Sequence, residues 1–281
     1  VHPNLENIAR VHVHLRDLGL DVVYVGGATI GLYLDTFGAS KARPTKDVDC
    51  IVPIEARSEY AAFESSRTLE KSVHGLFQPR SAEVNSASLP ESFGFFKASV
   101  IPPGRPGPGR LLFQQPARLR DAGLFPSADE GDPLCRWNIG GIKVDIMPLD
   151  EGILGFTNRF YRLGYDTAQT IELPSGHKVK VLSPALLLAT KIDAFLDRGA
   201  RDPAASEDLE DIIAVVDGCV GIAEHVAGAP PPVRAAIKVW ASEFLARKDA
   251  YDLVEGHIAA WGDQRGVHVL QLLERLAFPQ D

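Results

Sequence analysis

Near the N-terminus the apolar positions recur at helical spacing. Leu5, Ile8, Val11 and Leu15 fall three or four residues apart, which predicts an amphipathic helix over residues 4–19. The pattern then changes period. "DVVYVGG" is an unbroken apolar run stopped by two glycines, the form of a buried strand ending in a turn. "ATIGLYLDTFG" predicts a helix of about three turns, with Gly38 as its C-cap, because glycine tolerates a left-handed backbone there. "DVDCIVP" reads as a second strand ended by Pro53, and "EARSEYAAFESSRTLEKS" as a further helix. This α-β-α-β-α alternation is an α/β pattern.

Residues 72–130 are rich in Gly, Pro and Ser and form an irregular insert, with short candidate strands at "FGFFKASVI" and "GRLLFQQ". Two hairpins follow. "LCRWNIGGIKVDIMPL" turns at its glycine pair, and "TIELPSGHKVKVLSP" turns at "PSG". From Ser183 the texture is helical: "SPALLLATKIDAFLDRG", "SEDLEDIIAVVDGC", "PPVRAAIKVWASEFLA" and "HVLQLLERLAF". Ser183 is an N-cap, with Pro184 at the first helical position. The expected organisation is an α/β (α+β) domain over residues 1–182, a mixed sheet with flanking helices. A helical domain over residues 183–281 follows it.

Composition narrows the classes. Net charge is −8, with 45% apolar and 23% charged residues, ordinary values for a globular chain. That balance disfavours a protein coated in sequence-independent nucleic-acid contacts. One local basic stretch stands out, with Lys97, Arg105, Arg110, Arg118 and Arg120 and no acid between Glu91 and Asp121. No stretch approaches the roughly 20 apolar residues of a membrane span. The start reads as an amphipathic helix and not as a signal peptide, and a Val1 start suggests that residues are missing upstream. Three scattered cysteines, Cys50, Cys135 and Cys219, fit neither a zinc pattern nor a disulfide framework. They point to a reducing cytoplasm. His12 and His14 lie two apart on a helix, a poor geometry for a shared metal.

The chemistry concentrates in the acids. Asp47 and Asp49 are two apart on a strand, so both carboxylates point to one face. Two such charges repel, and a hard cation such as Mg²⁺ or Mn²⁺ between them relieves this. The alternative is a solvated strand end. Asp145, in "IKVDIMPL", completes a carboxylate triad if its strand lies beside the first. Gly26 and Gly27 join a strand to a helix, where bare backbone can approach a phosphate; the alternative is a plain turn. "GGATIG" matches neither the dinucleotide fingerprint nor the P-loop.

Taken together, Gly26-Gly27, a helix, Asp47-x-Asp49 and a later strand aspartate resemble the nucleotidyltransferase fold of the DNA polymerase beta-like superfamily. "RPTKDVD", with Arg43, Thr45, Asp47 and Asp49, is most similar to the AbiEii/AbiGii-type (MenT-like) toxin group. So is a lysine-bearing helix, here with Lys191, followed by Asp208-x-x-Asp211. The resemblance implies transfer of an NMP from an NTP to an acceptor hydroxyl, with Mg²⁺ or Mn²⁺ held by Asp47, Asp49 and Asp145. It implies that Lys191 neutralises phosphate charge. Gly26, Gly27, Arg43, Thr45, Lys46, Asp208 and Asp211 would be the further nucleotide-binding or supporting residues. The implied acceptor is a tRNA 3′ end, in a toxin–antitoxin or phage-defence system with a cognate antitoxin protein. A small hydroxylated acceptor, as in aminoglycoside nucleotidyltransferases, a protein hydroxyl, and a non-catalytic binding module on the same fold are the competing readings.

Overall fold

A computed structural model describes residues 2–35, 42–53, 123–127, 129, 131–155, 157–258 and 265–279. The helix expected over residues 55–72, the basic stretch over residues 97–120, Gly38 and the two candidate strands of the insert lie outside the described residues.

The N-terminal helix α1 spans Pro3–Asp17 and buries Leu5, Ile8, Val11 and Leu15, the stripe its spacing predicts. Strand β1, Val23–Val25, and strand β2, Asp47–Val52, pair antiparallel with Val25 opposite Asp49. Strand β3 is Leu124–Pro126, β4 is Arg136–Ile139 and β5 is Ile142–Pro148. Gly140 and Gly141 link the last two, both at positive φ (56° and 83°), as a tight hairpin turn requires. After short helices α2 (Glu151–Leu154) and α3 (Tyr161–Asp166), strands β6 (Gln169–Glu172) and β7 (Lys178–Val181) form the second expected hairpin.

These strands make one mixed sheet in the order β3-β4-β5-β2-β1-β7-β6. The β2–β5 and β1–β7 pairs are parallel and the others antiparallel. The architecture is the mixed α/β class expected. The central strands β1, β2 and β5 feed two cores by alternation. Val48, Cys50 and Val52 pack with α1, whereas Ile51 packs towards the C-terminal helices. Asp47 and Asp49 continue the Ile51 stripe, and Asp145 continues the Met147 stripe of β5. The acids are therefore the polar ends of two apolar rows.

The helices beyond the sheet are α4 (Pro184–Ala194), α5 (Glu207–Gly218), α6 (Ile222–Ala227), α7 (Pro231–Leu245), α8 (Ala250–Ile258) and α9 (Arg265–Ala277). The Ser183 hydroxyl caps α4 by accepting from the Leu186 N–H. Helix α4 is buried from Pro184 through Ile192 and forms the centre of the helical layer. Among the described residues, no helix is long and apolar enough to cross a membrane. Cys50, Cys135 and Cys219 are free and buried.

One expected element differs. The helix of three turns after Gly26 is a 3₁₀ segment of six residues, Gly27–Leu32. Two glycines and the β-branched Thr29 and Ile30 weaken an α-helix there. The Thr29 hydroxyl instead donates back to the Gly26 carbonyl at 2.9 Å, and the Tyr33 hydroxyl donates to the Leu182 carbonyl at 2.8 Å. The segment has no extended helix N-terminus to offer a phosphate.

Candidate active site

Parallel pairing of β2 and β5 puts Asp49 directly in register with Asp145. Asp47 lies on the same face of β2, two residues earlier. The three aspartates that alternation selected on separate stretches of chain are thus neighbours on one sheet face.

A fourth residue joins them. Arg136 is opposite Asp145 across the β4–β5 hairpin. Its Nε donates to Asp145 Oδ1 at 2.8 Å and its Nη2 to Asp145 Oδ2 at 2.7 Å. The same Nη2 donates to Asp47 Oδ2 at 2.6 Å. Its Nη1 reaches Asp132 Oδ1 at 3.2 Å, and Asp132 is in turn held by Lys143 and the Ser127 hydroxyl. The guanidinium thus bridges two of the three acids. Among the described residues, no three His, Cys, Asp or Glu side chains stand ready-spaced as a metal cluster.

Asp49 has a different environment. Among the described residues it makes no ion pair, and its carboxylate lies against Gly26, where an added Cβ would collide with it. Burial, with Asp47 and Asp145 nearby, pushes the Asp49 carboxyl up to about 7. Burial and Asp145 also raise Asp47, against the opposing pull of Arg136. This crowding of anions is the observation that fits a cation. The donor set is all carboxylate oxygen, which suits Mg²⁺ or Mn²⁺.

Asp49 and Asp145 line a cleft of about 580 Å³, within the usual size range of small-molecule sites. Gly26 also lines it, and Cys135, Met147 and Tyr161 contribute apolar surface. Lys191 and Arg198 line the cleft from the helical layer. Lys191 Nζ contacts Asp208 Oδ1 at 3.1 Å and Asp211 Oδ2 at 2.6 Å. Burial pulls its pKa down, but the two aspartates outweigh this and hold it above the ordinary lysine value. Arg198 follows α4 in a π-turn, Phe195–Gly199, and clamps Asp208 through Nε (2.7 Å) and Nη2 (2.9 Å). Its side chain is 68% exposed.

The remaining expected residues surround this arrangement. Arg43 points at α5, with ion pairs to Glu207 (3.3 Å), Glu210 (3.5 Å) and Asp211 (3.6 Å). The Thr45 hydroxyl donates to the Asp47 carbonyl at 3.0 Å, and its N–H donates to Asn4 Oδ1 at 3.0 Å. Gly27 packs so closely that a Cβ would lie 2.8 Å from Thr45 Cγ2. Lys46 is exposed, one residue before β2. Among the described residues, the cleft lining takes in none of Gly27, Arg43, Thr45, Lys46, Asp208 and Asp211. Asp208 and Asp211 hold Lys191, and Arg43 and Thr45 hold the lead-in to β2.

Arg136 was not among the expected site residues, although the sequence carries a signal for it. A two-residue Gly140-Gly141 turn forces Ile139 opposite Ile142, and the same register carries Arg136 to Asp145. Tyr161 carries no such signal, because only the tertiary fold brings α3 to the cleft.

No family model matches this chain, and no curated protein matches it. Among solved structures, an antigenic nucleotidyltransferase-like protein from Paracoccidioides brasiliensis superposes with a TM-score of 0.41 at 15% identity. The superposition covers 90% of this chain and 93% of that one.

Proposed function

We propose that this chain is a nucleotidyltransferase that moves an NMP from an NTP to an acceptor hydroxyl and releases pyrophosphate. One observation carries the reading. Asp49 and Asp145 are in register on adjacent parallel strands and face a cleft that Lys191 and Arg198 line from the helical layer. Acids on one wall and cations on another suit a triphosphate whose charge is neutralised from both sides.

The acceptor oxygen attacks the α-phosphorus, the bond to the bridging oxygen of the β-phosphate breaks, and pyrophosphate departs. Asp145 takes the acceptor proton in this assignment. Asp47, Asp49 and Asp145 would hold a divalent cation, Mg²⁺ or Mn²⁺, which would supply Lewis-acid stabilisation of the transferring phosphate. Lys191 and Arg198 bind the phosphate chain and orient it. Gly26 leaves room for the Asp49 carboxylate beside the cleft. Arg43, Thr45, Asp208 and Asp211 position the groups that touch substrate.

The finer reading follows the Arg43-x-Thr45-x-Asp47-x-Asp49 and Lys191…Asp208-x-x-Asp211 signature: a toxin-type enzyme acting on a tRNA 3′ end. Incubation with each labelled NTP, Mg²⁺ and total tRNA tests both levels. Label in RNA supports the tRNA acceptor, and label in neither RNA nor protein favours a small hydroxylated acceptor. Asp49→Ala is expected to cut transfer by on the order of 10² or more while far-UV circular dichroism stays native. Full transfer by that variant would sink the assignment.

A further inference from the structure

Arg136 already occupies the position between Asp47 and Asp145 that the proposed reaction gives to a divalent cation. Three of its hydrogen bonds end on these two carboxylates. Its side chain is only 17% exposed, and those of Asp47 and Asp145 are 29% and 11%. The bidentate grip on Asp145 is the strong, geometrically matched form of an arginine–carboxylate pair. The guanidinium also has a second anchor, because Nη1 contacts Asp132 on the side away from the triad.

We propose that Arg136 is a built-in competitor of the metal: a positioning residue that holds Asp47 and Asp145 together before loading and swings onto Asp132 when a divalent cation binds. This rests on the nucleotidyltransferase reading above. The oxygens that accept from Arg136 are the ones a cation must coordinate, and two cations cannot share them at close range without strong repulsion. Asp49 makes no ion pair among the described residues and supplies the first open ligand. Asp132 is the anion left to the displaced guanidinium, through the Nη1 contact it already makes. Resting Arg136 therefore preserves the fold of an acid cluster that would otherwise repel itself, and it makes metal affinity depend on a side-chain exchange.

The test is Mn²⁺ binding without nucleotide, followed by electron paramagnetic resonance of free Mn²⁺, together with thermal melts. Arg136→Gln is expected to bind Mn²⁺ at least about tenfold more tightly than the unaltered protein. It should melt lower without metal and gain more in Tm on adding Mn²⁺. Arg136→Lys keeps the charge but loses the bidentate bridge, so it should also bind more tightly, by a smaller factor. It also serves as the readout if the glutamine variant does not fold. Lys143→Gln removes a nearby charge without touching the triad and should change affinity by less than about twofold. The proposal is overturned if the folded Arg136 variants bind Mn²⁺ no more tightly than the unaltered protein, or if Lys143→Gln tightens binding as much as Arg136→Gln. In both cases the nucleotidyltransferase reading survives. If neither the unaltered protein nor any Arg136 variant binds Mn²⁺ at millimolar concentration, the triad is not a metal site and both readings fall together.

Discussion

Gly26 has φ 72°, and the space where a Cβ would sit belongs to the Asp49 carboxylate. Both facts exclude a larger residue, the first by backbone strain and the second by collision. The glycine serves the acid cluster as directly as the acids do, because it lets β1 and β2 approach while Asp49 keeps its place. Gly26→Ala is expected to lower stability by about 2 kcal/mol or more, measured by urea unfolding. It should also weaken Mn²⁺ binding, because Asp49 must move. An alanine variant with unchanged stability and unchanged Mn²⁺ affinity would show that the close approach is slack. At this scale much of the site was legible. A period of two selected Asp47 and Asp49, and a hairpin strand carried Asp145. Arg136 could have been found from the same hairpin, by following the register back across its two-residue turn. Residue type alone gives no reason to choose it, since an arginine near a strand start is most often a solvated one.

Among elements, helices α4 and α5 set the cation wall. Lys191 sits within a largely apolar helix, and its charge is tolerable there because α5 presents Asp208 and Asp211 on one face, three residues apart. The Asp-x-x-Asp spacing made this pair readable, although not its partner. After Gly26 the apolar period fits both a longer helix and the 3₁₀ segment, and the glycines and β-branched residues decide for the latter. Asp208 gives a pH test of the wall. Burial raises its pKa, but the Arg198 hydrogen bonds and Lys191 outweigh that and hold it below the ordinary value of 3.8. The unfolded chain therefore binds the proton first as pH falls, so stability rises with pH across that window. The Asp208 contribution is intact above about pH 4 and is lost below it. Urea unfolding from pH 6 down to about 3 should show that loss, and Asp208→Asn should be less stable at pH 6 with a shallower fall. An equally steep fall in the variant would mean that other carboxylates carry the acid sensitivity.

For the molecule as a whole, two things join the sheet to the helical layer. One is a shared apolar core in which Val23, Ile51 and Met147 meet Leu186, Leu209 and Ile212. The other is a chain of charges. Arg43, in the lead-in to β2, pairs with Asp211; Asp211 pairs with Lys191; Lys191 pairs with Asp208; and Asp208 pairs with Arg198. That lead-in is also fixed from α1, where Asn4 donates to the Arg43 carbonyl and accepts from the Thr45 N–H. The strand bearing Asp47 and Asp49 and the helix bearing Lys191 are thereby referenced to one carboxylate, Asp211, whose side chain is 3% exposed. Period and spacing could mark each half of this chain of charges, but only the fold closes it, since Arg43 and Asp211 are far apart in sequence. A double-mutant cycle measures the closure. Asp211→Asn is expected to cost about 3 kcal/mol or more, because it leaves Lys191 buried with one acid fewer. Arg43→Met should cost less, because Arg43 is partly exposed and its longer contacts are weaker. The two together should cost less than their sum by about 1 kcal/mol, the coupling of residues in one network. Additivity to within about 0.3 kcal/mol would mean that the apolar core alone aligns the two walls, and that Arg43 is a surface cation near α5.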